Sequence, residues 1–285
     1  MLATRNAAPL SSTARKDISM TYTEKNLIIT IDQLAPDVAT GTPSVEDLRA
    51  IDQYHIGGIE AVDRIITGLE LSPAQRVLDV GSGFGGPARR VAQVAGCAVV
   101  GIDTAGPYVE AAEELTRRCG LDHLVAFRHV DLAEFDNDTP FDAAFTMHVQ
   151  MSVADKRTWF SEIATRLAPH ARLAVWEVCR VSEQQPTWPM PWSIDGSDSF
   201  LVTPDDLHTV ICDAGFASLE WVDETSWVRE WFTASFAENQ PLPVLPQLID
   251  DGITRMINFA GALSDGTVSV WRGLFAATSK DREPR

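Results

Sequence analysis

The stretch RVLDVGSGFGGPARRVA, residues 76–92, decides the fold of this chain. An apolar run, RVLDV, precedes a cluster of glycines, and a helical pattern, PARRVAQVA, follows it. Gly81, Gly83 and Gly86 have the spacing G-x-G-x-x-G, which lets the backbone approach a ligand closely and turns the N–H groups of the next helix towards it. The stretch therefore predicts a strand, a loop and a helix around a nucleotide-like ligand.

Strand-like and helical patterns alternate around this stretch. A helical pattern begins at Ser44, with Asp47 at the capping-box position, and a second one follows Gly57 and Gly58. The alternating runs after them are RVLDV, PARRVAQVA, CAVVGID, YVEAAEELTRRC, LVAFRHVD, FDAAFTMHV, KRTWFSEIATRLA and RLAVWEV. Such alternation predicts an α/β fold, a doubly wound parallel sheet with helices on both faces.

The pattern changes after residue 178. Residues 181–203 include QQPTWPMPW, which is too irregular for a helix or strand. A helix with Thr203 as N-cap and Gly215 as its stop follows, and then come two strands, ASLEWVDET and TVSVWRGLFAATS, separated by a largely helical stretch over 226–263. We expect a flexible N-terminal arm over 1–43 and one domain over 44–285, with aromatic cap insertions at about 181–203 and 226–263.

Composition limits the class of partner. The net charge is -17, whereas a protein that neutralises phosphates needs clustered lysine and arginine. The composition therefore disfavours nucleic acid and anionic membranes as partners. No apolar run has the length of a membrane span, and the four cysteines are scattered without a C-x-x-C pair. We expect a cytoplasmic protein with a small-molecule partner, and the arm and insertions leave a homo-oligomer open.

Three carboxylates indicate which ligand the glycine loop holds. Asp79, two residues before Gly81, would repel a pyrophosphate and suits an ammonium or a sulfonium. Asp103 ends the next strand, where a carboxylate accepts the two hydroxyls of a ribose. Asp131 follows the third strand and is positioned for an adenine amino group. Ribose, adenine and a cationic amino-acid tail together describe S-adenosylmethionine.

These motifs resemble those of the class I S-adenosylmethionine-dependent methyltransferases over about residues 50–278. VLDVGSGFGG is similar to their first motif, VVGID to their second, and TMHVQMSVADK to the segment after their fourth strand. The resemblance implies a Rossmann-like seven-stranded sheet whose last strand is antiparallel. The cofactor-binding residues that it and the motifs imply are Asp79, Gly81, Ser82, Gly83, Asp103, Thr104, Asp131, Leu132, His148 and His55.

A narrower resemblance concerns the acceptor. DQYHIGG, HVQMSVADK and SFLVTPDDL are similar to segments of bacterial sarcosine and dimethylglycine N-methyltransferases. The same broad group includes sterol, tocopherol and terpenoid C-methyltransferases. The resemblance locates the site without naming the acceptor. Both N- and C-methylation of a small, largely apolar secondary metabolite stay open, as does C-methylation of a prenyl alkene in natural-product biosynthesis, with or without a carbocation rearrangement.

Three side chains are candidates for catalysis. His148, after the fourth strand, could take a proton from the acceptor or could be a packed histidine on the cofactor side. Glu177, near the end of the fifth strand, could stabilise a developing positive charge or could bond to a neighbouring loop. Tyr22 could close over the cofactor, and His55 could belong to a lid. No metal-ligand cluster occurs, and methyl transfer needs none.

Aromatic residues point to the acceptor side. All eight tryptophans lie at or after Trp159, which predicts a sheet-based cofactor half and an aromatic substrate half. Trp192, Trp231 and Phe200 are the predicted pocket residues, able to enclose a cation, an indole or a prenyl group. Few arginines in the insertions could bind a carboxylate, which favours an apolar acceptor; the candidates are Arg180, Arg229 and Arg255.

Two other classes of protein compete with a methyltransferase. An NAD-dependent oxidoreductase could use the same glycine loop, but Asp79 and the absence of a Tyr-x-x-x-Lys pair disfavour it. A non-catalytic cofactor-binding protein is disfavoured by the intact set of glycines and carboxylates.

Overall fold

The computed structural model describes residues 26–235 and 244–278. These residues build one seven-stranded sheet with helices on both faces. The strands are β1 Arg76–Val80, β2 Ala98–Asp103, β3 Val125–His129, β4 Phe141–Met147, β5 Leu167–Arg180, β6 Phe216–Asp223 and β7 Val268–Ala277. The helices are α1 Leu27–Leu34, α2 Pro36–Thr40, α3 Gly58–Leu69, α4 Gly86–Ala95, α5 Gly106–Arg118, α6 Lys156–Arg166, α7 Pro204–Asp213, α8 Thr225–Ser235 and α9 Gly252–Ser264.

The strand order across the sheet is β3-β2-β1-β4-β5-β7-β6. Strands β1 to β5 pair in parallel, and β7 pairs antiparallel with both β5 and β6. The predicted α/β sheet of seven strands with an antiparallel last strand is therefore confirmed. The order reverses between β1 and β4, and in such sheets the ligand crevice lies at the carboxyl ends of the strands beside this reversal.

The antiparallel direction of β7 places the long connection over 224–267 at one edge of the sheet. Strand β6 ends at the carboxyl edge, and β7 begins at that same edge because it runs the opposite way. The connection that contains α8 and α9 therefore begins and ends beside the loops that follow β1 to β5. Residues 181–203, which follow β5, begin at the same edge and contain no helix or strand of their own apart from a Met190–Ser193 bridge.

Three apolar clusters hold these layers together. One covers a face of the sheet with residues from α3, α4, α8 and α9, and a second covers the other face with α6 and α7. A third lies beyond the sheet and joins the N-terminal helices to the glycine loop and to residues 248–249. Its buried members include Leu27, Ile31, Leu48, Phe84, Tyr108 and Leu248.

The segment from Ser44 corrects the sequence analysis, since the helix predicted there is wrong. Ser44 and Asp47 do form the reciprocal bonds of a capping box, at 2.8 Å from the Ser44 N–H and 3.2 Å from the Asp47 N–H. Residues 45–52 nevertheless form successive turns, in which Ile51 N–H donates to Leu48 O. The buried residues Val45, Leu48 and Ile51 are spaced by three, which suits such turns better than a 3.6-residue helix.

Helices α1 and α2 lie within the part of the predicted arm that the structure describes. Leu27 and Ile31 are buried against the third cluster, and Arg118 of α5 binds Asp32 at 2.6 Å. Helix α1 therefore packs against the thirteen-residue helix α5. No helix among residues 26–235 and 244–278 is long and apolar enough to cross a membrane.

Candidate functional site

The glycine loop between β1 and α4 takes backbone conformations that other residues rarely adopt. Gly81, Gly83 and Gly85 have positive φ angles of 81°, 50° and 76°. A Cβ on Gly81 would lie 2.3 Å from a methyl group of Val149, whereas a Cβ on Gly83 would meet nothing within 4 Å. Gly83 therefore faces open space, as expected of a position that a ligand approaches.

Asp103 fastens this loop to the end of β2. Its two carboxylate oxygens accept the N–H groups of Gly83 and Ala105, each at 2.8 Å. A carboxylate has about four acceptor positions, so one remains on each oxygen for a pair of hydroxyls. Burial raises the pKa of Asp103, and the N–H donors act in the opposite direction. Thr104, the next residue, is exposed, and its carbonyl accepts from the ring of His129.

Buried polar atoms without partners surround the loop. Asp79 Oδ2, Ser82 Oγ and His148 Nε2 are buried and have no hydrogen-bond partner among the residues described. Burial, and next the charge of Asp103, raise the pKa of Asp79 well above its usual value. An unsatisfied buried polar atom costs about 1–3 kcal/mol, so these three atoms favour a ligand that carries donors and an acceptor. An ammonium at Asp79 would donate to Oδ2, and its positive charge would lower the raised pKa of this carboxyl group again.

Asp131 and Leu132 lie after β3 in the same row of strand ends. Asp131 Oδ1 accepts the Ala133 N–H at 2.8 Å, which shapes the turn, and Leu132 is buried. Arg166 Nη2 donates to the Leu132 carbonyl at 2.6 Å and fixes this turn from α6. The structure therefore brings Asp79, Gly81, Ser82, Gly83, Asp103, Asp131 and Leu132 to adjoining strand ends.

His148 directly follows β4 in a left-handed conformation, with φ of 57°. Its N–H donates to Trp176 O at 2.9 Å, and its ring lies edge-on to His55 and Phe259, with centroids 6.3 and 6.0 Å away. Burial, and then His55, lower the pKa of His148 well below its usual value. The ring is therefore neutral at pH 7, and its Nε2 can accept a hydrogen bond from an O–H or N–H group.

Glu177 is fully buried and turned towards the loop after β4. Its carboxylate accepts the Val149 N–H at 3.1 Å and the Gln150 N–H at 3.3 Å, and Thr146 Oγ1 lies 3.3 Å away. Burial raises the pKa of Glu177 to about 8. These bonds hold the backbone that carries His148 in its left-handed conformation, which is otherwise strained.

We expect Glu177→Gln to remove the contribution of this carboxyl group to the pH dependence of the free energy of unfolding. The pKa is about 8 in the fold against a usual 4.5, so between these values the folded carboxyl keeps a proton that the unfolded chain has lost. The free energy of unfolding then falls as pH rises from about 4.5 to 8. A glutamine resembles the protonated carboxyl and can keep all three bonds. The free energy of unfolding of Glu177→Gln, relative to that of wild type, should therefore increase by more than about 1 kcal/mol between pH 5 and pH 8.

Urea unfolding of both proteins across that range measures the difference. Glu113→Gln, on the exposed side of α5, controls for the loss of one negative charge. A difference between Glu177→Gln and wild type that stays constant with pH would contradict the raised pKa.

His55 is held by its own hydrogen-bonded segment. Asp52 Oδ1 accepts the Gln53 amide N–H at 2.9 Å, which turns Gln53 Oε1 towards His55 Nε2 at 3.0 Å. The other ring nitrogen, Nδ1, lies 3.3 Å from Ile56 O, so both nitrogens face atoms that can only accept. A neutral ring carries one proton, and the shorter contact places it on Nε2. Burial lowers the pKa of His55 to about 4, which keeps the ring neutral.

A buried ion pair joins this segment to the glycine loop, and the sequence analysis missed it. Arg89 of α4 binds Asp52 at 2.9 Å, with both side chains fully buried, and also donates to Phe84 O at 2.5 Å and Thr116 Oγ1 at 2.8 Å. A Cβ on Gly86 would lie 2.4 Å from Asp52 O, so the two segments touch. The arginine lies on the apolar face of α4, and that placement was the available signal.

The aromatic residues predicted for the acceptor lie in different surroundings. Trp192 is buried, donates to Ser199 Oγ at 2.9 Å, and packs edge-on against Phe259, which contacts His148. Trp231 lies over Gly58, where a Cβ would be 2.9 Å from its ring. Phe200 is 39% exposed, and its backbone carbonyl accepts from Lys156 Nζ at 2.5 Å. The structure thus brings Trp192 towards His148 and leaves Phe200 at the surface.

Tyr22, the predicted latch, lies outside the described residues. Most of the other predicted residues fall into two groups at the carboxyl edge: the carboxylates and glycines around β1 to β3, and the two histidines with Trp192 beside β4. Trp231 and Phe200 belong to neither group.

Comparison with known proteins gives a family match for the part of the chain that contains the glycine loop. Residues 77–170 match the family model described as a methyltransferase domain. Methyltransferase phqN of Penicillium fellutanum is 31% identical over 124 residues, 43% of this chain and 38% of that protein. O-methyltransferase cnsE of Penicillium expansum is 32% identical over 168 residues, 57% of this chain and 60% of that protein. This chain therefore spans about two fifths to three fifths of the length of these curated relatives.

Solved structures extend the likeness over most of the chain. The crystal structure of the [4+2]-cyclase SpnF matches with a TM-score of 0.62 and 22% identity, over 88% of this chain and 94% of that one. At this identity the match shows the fold alone. Since a protein described as a cyclase shares the fold, the reaction has to be inferred from the residues of the site.

Proposed function

We propose, from the methyltransferase domain that this chain carries over residues 77–170, that the protein transfers a methyl group from S-adenosylmethionine to a small organic acceptor. The observation that supports it most is the set of orphaned buried atoms around a glycine loop open at Gly83. Asp79 Oδ2 and Ser82 Oγ belong to its cofactor side, and His148 Nε2 belongs to its acceptor side. A nicotinamide cofactor would bring a pyrophosphate to this loop, and the carboxylate of Asp79 would repel it.

Each residue has a distinct part in the proposal. Asp103 binds the ribose hydroxyls with its two remaining acceptor positions, and Asp79 binds the ammonium of the methionine part. Asp131 and Leu132 receive the adenine. S-adenosylmethionine, when bound, supplies an activated methyl group on a sulfonium, so the protein has mainly to hold the acceptor in line within a dry pocket.

His148 is the proposed acceptor-side residue. Its neutral ring accepts a hydrogen bond from the acceptor's O–H or N–H at Nε2 and directs the lone pair towards the methyl group. Glu177 holds the backbone of this loop, and Trp176 fixes both histidine segments, since its backbone O accepts from His148 N–H and its indole N–H donates to Ile56 O at 3.0 Å.

The remaining assignments are also part of the proposal. Residues 1–43 serve as a lid over a domain spanning 44–285, and the insertions at about 181–203 and 226–263 form the acceptor side. The acceptor is a largely apolar secondary metabolite, and the protein acts in the cytoplasm, where it can assemble with further copies of itself.

Calorimetric titration with S-adenosylhomocysteine tests the function, with NAD as the parallel control. We expect micromolar binding of the first and none of the second. The same preparation with radiolabelled S-adenosylmethionine then reports transfer to amine, phenol, indole and prenyl acceptors. His148→Ala should lower that transfer while leaving the binding of S-adenosylhomocysteine within about threefold. Binding of NAD alone would overturn the proposal.

A further inference from the structure

A buried arginine on α9 lacks the counter-ion that its position requires. Arg255 is 2% exposed and lies one helical turn before Phe259, whose ring contacts His148. It forms no ion pair within residues 26–235 and 244–278, and its one hydrogen bond there is a long one, from Nη1 to Pro191 O at 3.4 Å. A buried cation left without an anion is costly, so a partner is expected at this place.

The free side of the guanidinium is the side that binds oxyanions. Nε is buried without a partner, and Nη2 donates no hydrogen bond to the part of the chain that the structure describes. Nε and Nη2 form the edge that holds the two oxygens of a carboxylate or phosphate through parallel bonds. Arg255 therefore presents an intact bidentate edge.

Arg255 is one of the residues that line a small pocket open to the outside. The other lining side chains are those of Tyr54, Pro191, Leu245, Pro246, Ile249 and Met256. Most of these side chains are apolar, so the arginine is the charged group of the lining and interacts strongly with any anion that enters. The first turn of α9 begins at Gly252, in the same lining, and adds the positive end of a thirteen-residue helix.

The other arginines of the insertions do not share this arrangement. Arg180 binds the exposed Glu183, and Arg229 Nε donates to Leu263 O at 2.6 Å. The sequence analysis gave the three arginines equal weight and preferred an acceptor without an acidic group. Burial and the orphaned Nε separate Arg255 from the other two.

We propose that Arg255 binds an oxyanion, a carboxylate or a phosphate, at one end of the acceptor. The inference rests on the proposed function, because it concerns the acceptor of that reaction. Phe259 lies one helical turn further along α9 and contacts His148, so the bound anion lies on the acceptor side of the site. The acceptor then carries an anionic group besides its apolar part.

The guanidinium signal of Arg255 reports directly on this binding. We propose ¹H–¹⁵N NMR of the Nε–H groups in the full chain, with the Arg255 signal assigned by its loss in Arg255→Lys. Through-bond correlation to the Arg255 backbone gives the same assignment if that variant does not fold. Benzoate, inorganic phosphate and benzamide are the probes, each titrated in the presence of S-adenosylhomocysteine. Arg229, whose Nε is already bonded, is the internal control.

We expect benzoate or phosphate to shift the Arg255 signal in a saturable way, with no shift from benzamide and none at Arg229. A response to benzoate alone indicates a carboxylate acceptor, and a response to phosphate alone indicates a phosphate ester. Arg255→Gln should weaken the responding probe at least about tenfold by calorimetry. Absence of a shift with both oxyanions, or equal shifts at Arg229 or with benzamide, would overturn the proposal.

Failure of this inference and failure of the proposed function are distinguishable. Binding of S-adenosylhomocysteine by the same sample, with Arg255 silent, leaves the methyltransferase proposal standing and removes the anion site. A responding Arg255 in a protein that does not bind S-adenosylhomocysteine keeps the anion site and removes the reaction.

Discussion

Asp103→Ala should weaken the binding of S-adenosylhomocysteine by about 100-fold or more. The substitution removes the acceptors for two ribose hydroxyls, and hydrogen bonds to a charged group contribute about 1.5–3 kcal/mol each. It also releases the N–H groups of Gly83 and Ala105, which the carboxylate holds at 2.8 Å. The loop and the ligand thus lose the same hydrogen-bond acceptor. Calorimetric titration measures the change in affinity for S-adenosylhomocysteine.

Asp122→Ala is the matched control, because Asp122 is exposed in the turn before β3. The Asp122→Ala protein should bind S-adenosylhomocysteine with the same affinity as wild type. Thermal unfolding of Asp103→Ala without ligand shows whether the loop has merely collapsed. An unchanged affinity in a folded Asp103→Ala protein would end the assignment of Asp103 to the ribose.

Arg89→Met should destabilise the protein by about 3–5 kcal/mol, the usual effect of removing one partner from a buried ion pair. The change leaves the Asp52 carboxylate buried without its cation, although burial already raises the pKa of that group. It also frees the carbonyl of Phe84, a residue of the glycine loop. Urea unfolding followed by circular dichroism gives the difference in free energy.

Arg157→Met controls for the loss of an arginine in an ion pair. Arg157 binds Asp213 at 3.5 Å with both side chains more than half exposed, so its removal should leave the urea midpoint unchanged. The double variant Arg89→Met with Asp52→Asn should recover part of the lost stability, because it no longer buries a lone charge. Equal effects of Arg89→Met and Arg157→Met would contradict the buried pair.

The sheet and the glycine loop could be predicted because their signals are local. An apolar strand, three spaced glycines and a helical repeat occupy consecutive residues, and the strand ends of a parallel sheet bring Asp79, Asp103 and Asp131 to one edge. The antiparallel β7 was expected from the resemblance and agrees with the pairing of β5, β6 and β7.

Features that depend on distant contacts could not be predicted in this way. The turns over 45–52 have a helical composition, but contacts of Leu48 and Ile51 with the third cluster fix a tighter backbone. The ion pair of Arg89 depends on Asp52, 37 positions away, and the direction of the Glu177 carboxylate depends on residues 27 to 31 positions away. The positions of Trp192 and Phe200 depend on an irregular segment that has no periodicity to interpret.

Both ends of the 224–267 connection lie at one edge of the sheet, and this arrangement affects how the sequence of such a chain can change in evolution. A connection that starts and ends beside the same strands can be exchanged for another of different length without disturbing strand pairing. The entropic cost of doubling a flexible loop is only about 0.6 kcal/mol. Recombination between positions 223 and 268 could therefore give a new acceptor specificity in one step, and the same two junctions are suitable for grafting in the laboratory.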